Sequence, residues 1–315
     1  MAVGIPADIL TETIVTLGET IRGNERNQEV FSRVMAPSEP PRKALVLLLV
    51  SMVNDKQPFE LRCAILYCLQ CYLHKNSTRQ LEVMRTLLPK YVWNSKKSGK
   101  KSNELFSNSS DSPEASSEND EVTAGQLLCG GLFSNDSLSN WLSAVSLCHG
   151  MFDQEDLKTD LLKVQVTTAG DARGPVSLLE QILDILQSSN QVQTRIGLLI
   201  LCSTWVHHSG TAVKTSLKTH GVIPFLTGQI GSNEHDEMER LSQGLCAFLL
   251  GLLIIGNDNS VPNFSQDELM QLIEKRIGIK IRQKVCERSE LRLQNIDPIK
   301  RGEFWSNKKG WILTR

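Results

Sequence analysis

Pro58-Phe59-Glu60-Leu61-Arg62-Cys63-Ala64-Ile65-Leu66-Tyr67-Cys68-Leu69-Gln70-Cys71-Tyr72-Leu73-His74 reads as one helix that is apolar nearly all round. Such a helix belongs at the centre of a packed body, because a surface helix shows only one apolar stripe. Its theme returns along the chain. Arg62-Cys63-Ala64-Ile65-Leu66, Ser143-Ala144-Val145, Arg195-Ile196-Gly197-Leu198-Leu199 and Ser242-Gln243-Gly244-Leu245 each set a small residue ahead of large apolar ones. The small residues lie about 80, 53 and 47 positions apart, and a polar loop of about 30 residues interrupts the first interval. Without it each unit is roughly 50 residues, near the period of about 40–47 expected of armadillo or HEAT repeats. A small residue lets the next helix approach closely, as stacked repeats require. Ala64, Gly197 and Gly244 are therefore expected at close helix–helix contacts.

Helical periodicity extends outward in both directions. Ala7 to Ile21 sets Ile9, Leu10, Ile14, Leu17 and Ile21 on one stripe, and Gly23 stops it. Ser38-Glu39-Pro40-Pro41 is expected to open a helix running through Ala44–Val50 to Asn54, since Pro is tolerated in a first turn. Ser77 is expected to cap a helix through Leu88, ahead of Pro89. Gln126-Leu127-Leu128-Cys129 leads to Gly130-Gly131, read as a helix stop, and Asp136 or Ser137 caps a helix through Trp141 and Val145. Amphipathic patterns then cover Gln154–Val164, Pro175–Gln187, Val192–Val206, Gly210–Lys218 and Glu237–Ile255, with another beginning at Ile223-Pro224-Phe225-Leu226. Ser265-Gln266-Asp267-Glu268 has the form of a capping box, opening a helix that ends near Gly278. Strand alternation and hairpin dipeptides are essentially missing. The expected class is all-α, an armadillo/HEAT-like helical-repeat solenoid with one disordered internal loop.

That loop is a break in composition. From Asn94 to Glu121 Ser, Asn, Lys, Asp and Glu dominate, and Leu105-Phe106 is the one apolar pair. Such a segment buries too little surface to offset its ordering entropy. The expected organisation is armadillo-like repeats over 1–93, a disordered polar insert over 94–121, further repeats over 122–278, and a basic, poorly ordered tail over 279–315.

Bulk properties fit a helical scaffold. Hydrophobic residues make up 40% of the 315 residues but aromatic ones only 5%, so Leu, Ile, Val and Ala carry the core. A net charge of −1 argues against bulk electrostatic association with nucleic acid or anionic lipid. The charge is unevenly spread: twelve Lys/Arg against four Asp/Glu from Lys275 to Arg315 leave about +8 there and about −9 elsewhere. Met1 to Pro6 has neither the charged nor the apolar region of a secretory signal. The longest apolar window, Gly244 to Gly256, is shorter than the roughly 20 residues of a membrane span and reads as a buried core helix. The sequons at Asn76, Asn135 and Asn263 are therefore expected to stay unmodified. The eight cysteines sit mostly in apolar helical segments, as reduced buried thiols do.

No constellation supports chemistry. Cys68, Cys71 and His74 fall at i, i+3 and i+6 on one helix with Cys63 upstream, but Leu66, Leu69 and Leu73 are interleaved and no second ligand pair converges for zinc. His207-His208 follow a helix end, where the dipole favours them. Gly99-Lys100-Lys101-Ser102 echoes a phosphate loop without its upstream Gly or its strand. Nucleophile elbows, His-Glu-x-x-His pairs and Gly-x-Gly-x-x-Gly fingerprints are missing. The expectation is a non-enzyme with no cofactor, no metal, no nucleic-acid partner and no transmembrane segment, and no partner-binding residue can be nominated.

Six strings carry a family resemblance. They are Pro6-Ala7-Asp8-Ile9-Leu10-Thr11-Glu12-Thr13-Ile14, Gln57-Pro58-Phe59 with Leu61-Arg62-Cys63-Ala64, Ala124-Gly125-Gln126-Leu127-Leu128-Cys129-Gly130-Gly131-Leu132-Phe133-Ser134, Asp136-Ser137-Leu138-Ser139-Asn140-Trp141, Pro224-Phe225-Leu226-Thr227-Gly228-Gln229, and Leu272-Ile273-Glu274-Lys275-Arg276-Ile277-Gly278. Over about residues 3 to 278 the chain resembles the head of the general vesicular transport factor family of Golgi vesicle-tethering proteins. The resemblance implies an armadillo-type head, a homodimer, and peripheral recruitment from the cytoplasm to Golgi and transport-vesicle membranes. It also implies a Rab GTPase, SNAREs and golgins as partners in endoplasmic-reticulum-to-Golgi and intra-Golgi docking and membrane fusion.

Three departures stand against it. The family carries repeats ahead of the segment matching Met1, its link is far shorter than 94–121, and the chain diverges after Gly278 into Ile279-Lys280-Ile281-Arg282. The chain is therefore expected to be a fragment or alternative product without the coiled coil and acidic tail. The alternative reading is an armadillo adaptor for peptide cargo or signalling partners. It would need an Asn and a Trp recurring in every repeat, which Asn140-Trp141 and Trp205 do not.

Overall fold

The computed structural model describes residues 5–88, 122–166, 174–232 and 236–277. The expected disordered insert over 94–121 and basic tail over 279–315 lie outside the described residues, as does Gly99–Ser102. Fourteen helices are present among the described residues: α1 (Ala7–Ile21), α2 (Glu25–Ser32), α3 (Ala44–Val53), α4 (Phe59–Leu73), α5 (Ser77–Arg85), α6 (Ala124–Leu132), α7 (Ser137–Met151), α8 (Glu155–Leu161), α9 (Leu178–Ser188), α10 (Val192–Val206), α11 (Gly210–Lys218), α12 (Val222–Gly231), α13 (Glu237–Ile255) and α14 (Gln266–Ile277). The class is all-α, as the periodicity indicates.

Five long helices, α1, α4, α7, α10 and α13, form a ladder in which each packs on the next. Shorter helices flank it, and one continuous core runs from Ile14 to Ile273. The units are α1–α2, α3–α5, α6–α8, α9–α11 and α12–α14. Close approach within the ladder uses small residues, as expected. A Cβ on Gly18 would lie 3.2 Å from the Tyr67 ring, and one on Gly197 would lie 3.3 Å from Trp141 Cα. Ala64 is buried. Gly244 departs from the expectation: nothing lies within 4 Å of a Cβ built there. The buried face of α13 is instead Ser242, Cys246, Leu249, Leu250 and Leu253, which leaves Gly244 to solvent. Ile9 likewise points outward from α1, at 55% exposure.

The helix ends differ from sequence expectation where proline intervenes. Ser38–Pro41 does not open α3 but forms the turn of a small hairpin, in which β1 (Met35–Ala36) pairs antiparallel with β2 (Arg42–Lys43). Pro41 pushes Pro40 out of the helical region, so the helix waits until Ala44. A second hairpin, β3 (Gln165–Val166) with β4 (Val176–Ser177), takes the place of the first turn expected at Pro175. Ser177 then caps α9 in a capping box with Glu180. Asn76, one residue ahead of Ser77, caps α5 by accepting from Arg79 N. Gly130-Gly131 does not stop α6, which runs on to Leu132. A Cβ on Gly131 would lie 2.8 Å from Val53 and 2.3 Å from Ser143 Oγ, so this glycine serves packing rather than termination. Asp136 caps α7 and Ser265 forms its capping box with Glu268, as expected.

Helical periodicity does not reveal α2, because its buried face is largely polar: Gln28 and Ser32 accompany Phe31.

Candidate interaction surface

A device repeats where long helices end. One residue beyond the C-cap the backbone turns left-handed, at Gly23 after α1 (φ 65°), Lys75 after α4 (φ 53°), Asp153 after α7 (φ 53°) and His208 after α10 (φ 57°). Positive φ is uncommon for non-glycine residues, so three such turns at one repeat position mark a constraint of the fold. The next residue starts the short helix, and four residues later a buried polar side chain reaches into the following unit. Gln28 Nε2 donates to the carbonyls of Cys71 (2.9 Å) and His74 (3.0 Å). Gln80 Nε2 donates to those of His149 (2.9 Å) and Phe152 (3.3 Å). Lys158 Nζ donates to that of His207 at 2.7 Å. The amide oxygens are used as well: Asn76 Nδ2 donates to Gln28 Oε1 (2.8 Å), and Gln154 Nε2 donates to Gln80 Oε1 (3.0 Å). The last carbonyls of a helix have no partner within it. Here the preceding unit supplies one.

The N-terminal ends of the long helices are tied by a second set. Arg62, buried in α4, donates from Nε to Met52 O (2.8 Å) and from Nη2 to both Asp136 Oδ2 (2.7 Å) and Ser139 Oγ (2.6 Å). Burial pulls the Asp136 carboxyl up, but the hydrogen bonds from Arg62 and Ser139 outweigh it and hold it below its ordinary value. Asn140 occupies the same helix position in α7. Its Nδ2 donates to the carbonyls of Gly131 (3.1 Å), Leu132 (3.0 Å) and Ser134 (2.8 Å), and its Oδ1 accepts from Thr194. Asn140 is thus committed to internal carbonyls and is not offered to a peptide in a groove.

The residues weighed for chemistry are placed as follows. Cys68 and Cys71 are buried and Cys63 is half-buried. Burial pushes the Cys63 and Cys71 thiols up to about 11 and the Cys68 thiol to about 12. Burial, with the charges of Arg22 and Lys75, lowers His74. His207 caps α10 and accepts Lys158 on its carbonyl, and its ring meets that of His208 edge-on at 3.9 Å. Among the described residues no group of three or more His, Cys, Asp or Glu is placed to hold a metal. α13 is long and apolar enough, by length and composition, to cross a membrane. It nevertheless buries Cys246, Leu249, Leu250 and Leu253 in the core, as expected of its apolar window.

What the fold offers outward is surface. A shallow, open depression on α1 is lined by Asp8, Ile9, Glu12, Thr13 and Thr16. Val30, Val34 and Met35 are exposed around the first hairpin, and Leu241 and Ile255 along α13. Sequence patterning could not single these out, because exposed and buried aliphatic residues are the same residue types.

The family model of the Uso1/p115-like vesicle tethering protein head region matches residues 24–285. The chain belongs to this family. Among curated relatives, the general vesicular transport factor p115 of Rattus norvegicus and that of Mus musculus are each 50% identical to it over 278 residues, and that of Homo sapiens is 49% identical. These alignments cover 88% of this chain and 26% of each relative, so the chain spans about a quarter of their length. Crystal structures of Uso1-2 and Uso1-1 share the fold of this head region with a TM-score of 0.64 at 16% and 17% identity. They cover 93% of this chain and 44% of theirs.

Proposed function

We propose that this chain is a non-catalytic protein-binding scaffold, the head-region portion of a vesicle-tethering factor. It acts in endoplasmic-reticulum-to-Golgi and intra-Golgi docking and fusion. The observation that carries this reading is the family match over residues 24–285, with relatives at about 50% identity that are named as general vesicular transport factors. The geometry supports it: the buried polar groups described above are spent on holding repeats together, which leaves the outer surface of the array for partners. Partners in this reading are a Rab GTPase, SNAREs and golgins, with a homodimer through the head and peripheral association with Golgi and vesicle membranes. Composition supports reading 94–121 as a polar insert and 279–315 as a basic tail.

The test is affinity capture from cytosol on the purified chain, with partners identified by mass spectrometry, followed by addition to a transport assay depleted of the full-length factor. Capture of trafficking proteins together with inhibition of transport is expected, because a repeat segment binds without bridging two membranes. Capture of no trafficking protein overturns the reading.

A further inference from the structure

The clamp that links successive units is replaced at the last junction among the described residues. In α11 the clamp position, four residues beyond the N-cap Ser209, is Val213, which has no donor. It packs instead against Gly256, where a Cβ would lie 2.9 Å from Val213 Cγ2. The C-terminal carbonyls of α13 are taken from within their own unit, by Gln266 Nε2 on Ile254 O (3.0 Å) and Asn257 O (3.0 Å). Ion pairs join the fourth unit to the fifth. Lys214 Nζ meets Asp258 Oδ2 at 2.7 Å, with 40% and 52% of the two side chains exposed. Arg195 pairs with Glu239.

Polar satisfaction also fails on α10 and α13, the long helices that meet at this junction. Arg195 holds the helix position that Arg62 holds in α4, yet its buried Nε finds no acceptor, whereas Arg62 Nε reaches Met52 O at 2.8 Å. Ser203 Oγ and Ser242 Oγ are also buried without a partner, so three of the four such atoms among the described residues lie on α10 and α13. A buried polar group without a partner weakens the packing around it. Exposed ion pairs weaken with salt, whereas buried amide-to-carbonyl bonds do so far less.

We propose that the junction between α9–α11 and α12–α14 is a compliant, salt-sensitive joint, at which the last unit turns on the Val213–Gly256 contact while the preceding units stay locked by their clamps. Ionic strength, or a charged partner competing for Lys214 or Asp258, then sets the curvature of the array at that end. Ion pairs also cross the first two junctions, Arg79 to Glu29 and Arg62 to Asp136, but there Gln28 and Gln80 close the junction from inside, as Lys158 does at the third.

Native-state hydrogen exchange on the full chain, at low salt and at 1 M salt, tests this. Amides of α12–α14 should exchange roughly three- to fivefold faster in high salt, the range one exposed pair such as Lys214–Asp258 can supply while the half-buried Arg195–Glu239 pair is screened less, with α1–α10 changing less than twofold. A double variant, Val213→Gln with Gln266→Ala, moves the clamp back to the preceding unit and should abolish the salt response. A uniform response, none, or one centred on another junction overturns the proposal, and the wild-type salt comparison decides it even if the variant does not fold. A failure here leaves the tethering reading untouched, because partner capture does not depend on the joint.

Discussion

Gln80 of α5 spans the gap to α7 with one side-chain amide, donating to the carbonyls of His149 and Phe152 while its oxygen accepts from Gln154. Gln28 makes the matching set of bonds one unit earlier. The two glutamines therefore act as fasteners between units. Replacing Gln80 by Ala removes both donations across the junction and should cost about 1–3 kcal/mol. Thermal denaturation checks this, and an unchanged midpoint would show that water satisfies those carbonyls equally well.

Arg62 and Asp136 give the acid response its sign. The folded Asp136 carboxyl titrates below its ordinary value of 3.8, so the folded state binds this proton less readily than the unfolded state. Its contribution is complete above the ordinary carboxylate range and is lost as pH falls below about 4 toward the folded value. Urea midpoints at pH 6 and pH 3 should differ more in the wild type than in Asp136→Asn. Arg62→Ala should cost about 3 kcal/mol at pH 7, because it strands a partly buried carboxylate. Equal pH dependence in wild type and Asp136→Asn would exclude this pair as its source.

Adjacent glycines in α6 should respond in opposite directions. A Cβ on Gly130 would have nothing within 4 Å, so Gly130→Ala should stabilise by about 0.5–1 kcal/mol through helix propensity. Gly131→Ala drives a methyl into Val53 and Ser143 and should destabilise by about 1–3 kcal/mol. Gly244→Ala should follow Gly130, since its site is open. Chemical denaturation of the three variants ranks them. Loss of stability in Gly244→Ala would restore the close contact expected from sequence.

Thiol reactivity should be low in the folded protein. Burial raises Cys63, Cys71 and Cys129 to about 11 and Cys68 and Cys246 to about 12, from an ordinary 9.0. A thiol held at about 11 carries about a hundredfold less thiolate at pH 8 than an ordinary one, and the thiolate is the reactive form. Labelling followed by peptide mapping should show these five reacting about a hundredfold faster, or more, in denaturant. Rapid native labelling at Cys68 would mean that α4 opens locally.

The sequence by itself determined the long helices and their stacking, though not α2 or the ends of α3 and α6. Apolar runs of helical period place α4, α7, α10 and α13, because a helix apolar on several faces is stable only between other helices. Recurrence of a small residue near the start of each announced a repeat. The family, too, was legible in contiguous strings such as Ala124–Ser134. Tertiary structure alone decided what the polar residues do. Gln28, Gln80 and Lys158 look like ordinary surface residues in sequence and are buried, because their partners are carbonyls of another unit and carbonyls leave no trace in residue identity. The same holds for Gly131 against Gly244: packing requires one and solvent tolerates the other, and only the placement of neighbouring helices separates them. Side-chain periodicity reports how much apolar surface a segment must bury. It does not report which backbone group waits on the other side.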